Sequence, residues 1–120
     1  MSEAEVIEMI NLHAGNSMSA YSIFVTLTFA YLTASYFAGE KLSLLQVFII
    51  SVLYVTSSAA FTAITVLHVQ SFEALVAQYP NFIYARLWRF PWALVGSLLA
   101  IGGVIASLYF MWNVRHPHTK

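Results

Sequence analysis

The sequence contains no cysteine. That excludes a disulfide framework, thiol catalysis, cysteine-ligated metal and palmitoylation. Charge is nearly as scarce: five Lys and Arg and five Asp and Glu, 8% of 120 residues. A soluble domain carries about 25% charged and about 45–50% apolar residues, whereas 60% of this chain is hydrophobic. So few charges cannot cover the surface of a water-soluble domain. A soluble enzyme, a nucleic-acid binder and a disordered tail are excluded on that ground. Catalytic signatures are missing as well. There is no G-x-S-x-G, no H-E-x-x-H, no Gly-rich phosphate loop and no pair of carboxylates within an apolar run. The expectation is an all-α integral membrane protein that is not an enzyme.

What charge there is marks out the spans. No Asp, Glu, Lys or Arg occurs between Glu8 and Glu40, between Lys41 and Glu73, or between Arg89 and Arg115. These gaps hold 31, 31 and 25 residues. Crossing about 30 Å of hydrocarbon takes roughly 20 helical residues, so each gap fits one crossing. The runs are continuously apolar, without the alternation of a barrel strand. One membrane domain, 1–120, is expected, with three transmembrane helices over about 18–38, 42–69 and 91–113 in a small bundle. The acidic start Ser2-Glu3-Ala4-Glu5 is unlike the basic start of a signal peptide.

Local signals fill in the connections. Ser2 with Glu5 three residues later reads as a capping box. A short interfacial helix over about 3–13 should follow, ended by Gly15-Asn16. Gly39-Glu40-Lys41 is too short to allow anything but antiparallel neighbours for the first two spans. Residues 71–90 read as an aromatic interfacial loop. It holds Glu73, Pro80, Arg86 and Arg89 among Phe72, Tyr79, Phe82, Tyr84, Trp88 and Phe90. Beside a bilayer, this mixture signals anchoring rather than a single-strand nucleic-acid site.

Three crossings put the N-terminal helix and the 71–90 loop on one side. The Gly39–Lys41 turn and the tail lie on the other. Glu3, Glu5 and Glu8 could then pair with Arg86 and Arg89, although surface pairs contribute only about 0–1 kcal/mol. Lys41, Arg115 and Lys120 outnumber Arg86 and Arg89 by one. The positive-inside rule then sets the N-terminus outside and the C-terminus in the cytoplasm of a bacterial inner membrane.

Two faces are patterned. On the third span, Ala93, Gly96, Ala100, Gly103 and Ser107 form a small-residue seam suited to close helix contact. On the second, Ser51, Ser58, Thr62 and Thr65 form a hydroxyl seam, continued on the first by Ser22, Thr26 and Thr33. Such hydroxyls usually join helices or bond their own backbone. No charge lies in mid-membrane, which argues against an ion-coupled transporter.

His13 and His68 both lie near one interface. As a pair they could ligate haem b iron, contact a quinone, or hold a metal with Glu73. Their ordinary role is as polar residues at the membrane surface, and no cofactor or metal is expected. His116 and His118 form an H-x-H near the opposite end. Known three-span families do not fit. The semi-SWEET transporters carry a Pro-Gln dipeptide that does not occur here. In haem-binding anchors of succinate dehydrogenase and fumarate reductase the ligand is a histidine on a span. Val66-Leu67-His68-Val69-Gln70 does not match their pattern. The four-span glutathione-transferase-like enzymes need one more helix. The expected function is therefore packing: an accessory subunit of a membrane complex, or a self-associating module. Its partners would be the lipid bilayer and other membrane subunits or copies of itself. Alternatives are a redox anchor using His13 and His68, and an oligomeric pore lined by the second span's hydroxyls.

Overall fold

A computed structural model describes residues 2–78 and 91–117 of the chain. Its elements are α1 (Glu3–Ala38), a single 3₁₀ turn (Gly39–Lys41), α2 (Leu44–Gln78) and α3 (Trp92–Arg115). All three long helices are apolar and long enough to cross a membrane. The described chain is 62 Å long and 25 by 16 Å across.

Both ends of the α1–α2 hairpin are set locally. Ser2 caps α1 as expected: its Oγ accepts from Glu5 N at 3.2 Å, and Glu5 Oε2 accepts from Ser2 N at 3.0 Å. The same reciprocal pair recurs at the start of α2, between Ser43 and Gln46, at 3.2 and 2.9 Å. Gly39 has φ −54°, an ordinary right-handed value, so the position does not need glycine for its backbone. It needs glycine for space. A Cβ there would stand 3.0 Å from Val114 Cγ1 and 3.4 Å from Met111 Sδ.

Two sequence expectations are corrected. There is no separate helix over 3–13 and no break at Gly15-Asn16, because α1 runs unbroken through both residues. A helix-interior glycine costs about 1 kcal/mol. Against that stands one continuous stripe, Val6, Ile10, His13, Ser17, Ala20 and Phe24, spaced alternately four and three residues apart. Such spacing keeps one face turned toward a neighbouring helix, and a break would discard that contact. Nor does a loop begin at Ser71, since α2 continues to Gln78. Phe72 and Val76 are buried with Val69 against Val6 and Ile10, so the same interface carries the helix onward. Residues 79–90 lie outside the described residues, and with them Tyr79, Pro80, Phe82, Tyr84, Arg86, Trp88, Arg89 and Phe90.

The third helix is joined to the hairpin at both ends. Near its start, Ala93 packs on the cluster of Val6, Ile10, Val69, Phe72 and Val76. Near its finish, Met111 is buried with Tyr31 and Tyr54. There Arg115 Nη1 donates to the carbonyl of Gly39 at 2.8 Å and also to that of Leu42. These carbonyls flank the turn that ends α1, where the helix dipole is negative and no basic residue stands in the last turn. Arg115→Ala should lower the thermal unfolding midpoint of the detergent-solubilised chain, read by helical circular dichroism. The expected loss is about 1–3 kcal/mol for hydrogen bonds from a charged donor. Arg115→Lys should restore only part of it, because one ammonium cannot reproduce the guanidinium fork. An unchanged midpoint in Arg115→Ala would refute this role.

Candidate functional site

The interface stripe on α1 and its counterpart on α2 carry polar side chains at two depths. Near the open end of the hairpin, His13 and His68 meet. Their Nδ1 atoms are 3.0 Å apart, with ring centroids at 5.3 Å and planes tilted by 44°. Both are half-buried. They meet because each occupies a stripe position: Ile10 and Ser17 flank His13 on α1, and Val69 and Phe72 follow His68 on α2. One imidazole donates its Nδ1 proton and the other accepts. The two rings bond directly, so no gap between them could take a porphyrin. Axial histidines of a haem would need the macrocycle between them.

Closer to the turn lies a network built on two tyrosines. Tyr31 and Tyr54 stack, with centroids 4.4 Å apart and planes 15° from parallel. Tyr31 Oη pairs with Ser51 Oγ at 2.9 Å. Tyr54 Oη pairs with Thr28 Oγ1 at 2.9 Å and donates to Ser107 Oγ at 3.4 Å. This network links all three helices. Every hydroxyl in it is satisfied and none faces a base or a carboxylate, so it is suited to holding helices together rather than to catalysis. The sequence signal for it was two tyrosines far inside apolar runs, away from the interface belts where tyrosine is ordinarily enriched.

The hydroxyls read as one seam on α2 do not share a lumen. Ser51 is engaged by Tyr31. Thr65 donates to its own helix at Phe61 O, 2.8 Å away, and lines a groove between α1 and α3. Ser58 and Thr62 line a different groove, between α2 and α3. On α1, Ser22 and Thr26 are exposed and donate to backbone carbonyls three and four residues earlier, both at 2.8 Å. Ser58 is the exception to this pattern. It is 1% exposed, and its Oγ has no hydrogen-bond partner among the described residues.

The α3 small-residue seam faces mostly inward. Ala100 and Ser107 are buried, and Ala93 packs on the α1–α2 cluster. A Cβ on Gly103 would lie 3.8 Å from Phe24 Cζ of α1. Ser107 Oγ, besides accepting from Tyr54, donates to Gly103 O at 2.7 Å. Gly96 differs: a Cβ there would meet nothing within 4 Å. Most of the seam is thus used within one chain. At the far end, His116 stacks on Trp112 with centroids 3.9 Å apart and donates from Nδ1 to Trp112 O at 3.1 Å. His118 lies outside the described residues.

Two apolar grooves flank α3. The one between α2 and α3 encloses about 600 Å³, the one between α1 and α3 about 820 Å³. Tyr54→Phe should lower the unfolding midpoint in mild detergent by the equivalent of about 1–2 kcal/mol. It removes two interhelical hydrogen bonds, each worth about 0.6 and at most about 1.7 kcal/mol in membrane proteins. A variant as stable as the parent would show the network to be energetically silent. No family model, curated protein or solved structure matches the chain.

Proposed function

We propose that the chain is a non-catalytic, multi-pass integral membrane protein that acts by helix packing, and that it associates with a second copy of itself. The observation that carries the proposal is the open groove between α2 and α3, along which Val55, Ala59, Ala63 and Leu67 are exposed at four-residue spacing. Beneath them the Ser58 hydroxyl is buried within the single chain and has no hydrogen-bond partner among the described residues. Ala59 and Ala63, four residues apart along the groove, permit close backbone approach. A two-fold axis along the membrane normal sets α2 beside its equivalent, so Ala59, Thr62 and Ala63 face their own copies. A threonine hydroxyl both donates and accepts, so a pair of Thr62 side chains is self-complementary.

The outer surface supports the membrane setting. Leu44 is 78% exposed, Phe37 72% and Phe29 66%. Large apolar side chains spread so widely over a surface suit lipid rather than water. The pore reading has less support, because the hydroxyls of α2 turn toward different neighbours. An accessory role in a larger complex uses the same groove with a different occupant.

The absence of cysteine makes a clean test. Ala63→Cys introduces the only thiol in the chain, and oxidation of native membranes should yield a disulfide-linked dimer. Leu44→Cys, remote from the groove, should not. Ala59→Leu should shift the chain from dimer to monomer in mild detergent. Monomers alone, or one copy bound to a different subunit, would overturn self-association. For orientation, a membrane-impermeant label on intact cells should modify a cysteine placed at Ser2 and not one placed at Thr119. The reverse pattern would place the N-terminus inside.

A further inference from the structure

We infer that the His13–His68 pair is a proton-operated clasp between α1 and α2. It stays closed with no added proton or with one, and a second added proton parts the helices at their open end. The Nδ1 atoms are 3.0 Å apart and the ring centroids 5.3 Å. Together these spacings describe rings that meet end to end, with both nitrogens on the line between the centres. The lone pair of one ring therefore points at the Nδ1–H of the other. A neutral imidazole has one N–H and one bare nitrogen, and an imidazolium has two N–H groups. In the neutral pair one Nδ1 donates and its partner accepts. The first proton from water goes to the bare Nε2 of the donor ring. The bond between the rings is then charge-assisted, which strengthens it. The acceptor ring already carries Nε2–H, so the second proton can enter only at its Nδ1. That proton removes the one acceptor and sets two cationic N–H groups head to head. The rings must separate, and both N–H groups then donate to water. Loss of the protons to water reverses each step.

No carboxylate among the described residues is placed to neutralise the second charge. Along the two helices the nearest acidic or basic side chains are Glu8 on α1 and Glu73 on α2, each five residues from its histidine. Five residues carry a helix about 140° past a full circle, so both carboxylates lie away from the paired face. α3 has no acidic or basic residue before Arg115, at its far end. Arg86 and Arg89, which the sequence sets at the histidines' end, lie outside the described residues and as cations cannot neutralise the pair. Separation can be taken up at one end only. The turn end is pinned by the stacked Tyr31 and Tyr54 and by Arg115 on the carbonyls of Gly39 and Leu42. The open end is joined by Val6, Ile10, Val69, Phe72 and Val76, apolar contacts without fixed direction. Along the helix axes the histidines lie roughly 36 Å from the turn, more than about 30 Å of hydrocarbon. In the proposed membrane setting these half-buried rings meet water on the N-terminal side, so acid on that side works the clasp.

The test uses the full chain in mild detergent, with His116→Ala and His118→Ala to silence the other histidines. Leu12→Cys and Gln70→Cys, at exposed positions of α1 and α2, supply the only thiols and take nitroxide labels. Labelled chain is diluted into unlabelled chain, so that distances between copies do not contribute. Electron paramagnetic resonance should show one short label distance at about pH 8 and a longer one at about pH 5, on either side of the ordinary imidazole value of about 6.5. The open form binds one proton more than the closed form, so closure weakens as pH falls. The open-to-closed ratio should rise by up to tenfold per pH unit. His68→Asn replaces Nδ1 by an amide oxygen that accepts from His13 in either protonation state, so this variant should stay closed throughout. Glu73→Gln should open as the parent does. A parent distance that does not change with pH, an Asn variant that opens like the parent, or a Glu73→Gln chain that stays closed would each overturn the clasp. Nitrogen-15 resonance of the parent's rings keeps the test valid if the Asn variant does not fold. At neutral pH it should show one protonated and one bare Nδ1, coupled across the bond, and two uncoupled rings would equally overturn it.

Discussion

Everything in this chain rests on the contact between α1 and α2. In lipid a helix satisfies its own backbone, so secondary structure forms without tertiary help. Lipid tails are as apolar as leucine, however, and give no hydrophobic drive for one helix to find another. Association must come from shape and from a few hydrogen bonds. The stripe from Val6 to Phe24 and on through Tyr31 supplies both, and the three-residue 3₁₀ turn delivers its partner in antiparallel register. The third helix is secondary to this pair. It meets the hairpin at Ala93, at Gly103 against Phe24, and at Met111 and Arg115.

Polar groups are few, and nearly all of them are used for cohesion. Ser17, Ser22, Thr26, Ser35, Ser71 and Ser97 return to backbone carbonyls of their own helix. Thr28, Ser51 and Ser107 join the tyrosines. Against this economy Ser58 and the histidine pair stand out, one for lacking a partner among the described residues and the other for pairing at a half-buried position.

Much of this was legible in the residues. Charge spacing gave three apolar helices, and the brevity of Gly39-Glu40-Lys41 gave antiparallel neighbours. The Ser2–Glu5 box gave the first cap. What failed was local punctuation. Gly15-Asn16 looks like a stop because its intrinsic cost is visible in the sequence. The interhelical stripe that outweighs it depends on a second helix tens of residues away. Ser71 looked like a loop start for the same reason, since Phe72 reads as an interfacial aromatic until it and Val76 are set against Val6 and Ile10. Gly39 caps α1 in an ordinary right-handed conformation and also clears space for Val114. Among the polar residues, His13 and His68 were identifiable as neighbours by side and depth. The tyrosine network was not, because nothing in one span's pattern reveals which hydroxyl will meet it from another.

The unequal helix lengths have a consequence of their own. α1 and α2 hold 36 and 35 residues, and α3 holds 24. With α3 tied at its C-terminal end by Arg115, the surplus can project only at the other end. Among the described residues, a two-helix mast therefore rises roughly 15 Å past the first turn of α3. In the proposed membrane setting its waterline would be set by the surrounding lipid and not by the protein. The imidazoles would lie near that line, so a thicker bilayer would submerge them and a thinner one would leave them wet. Membrane thickness would thus become a variable that the hairpin converts into solvent exposure at one fixed height.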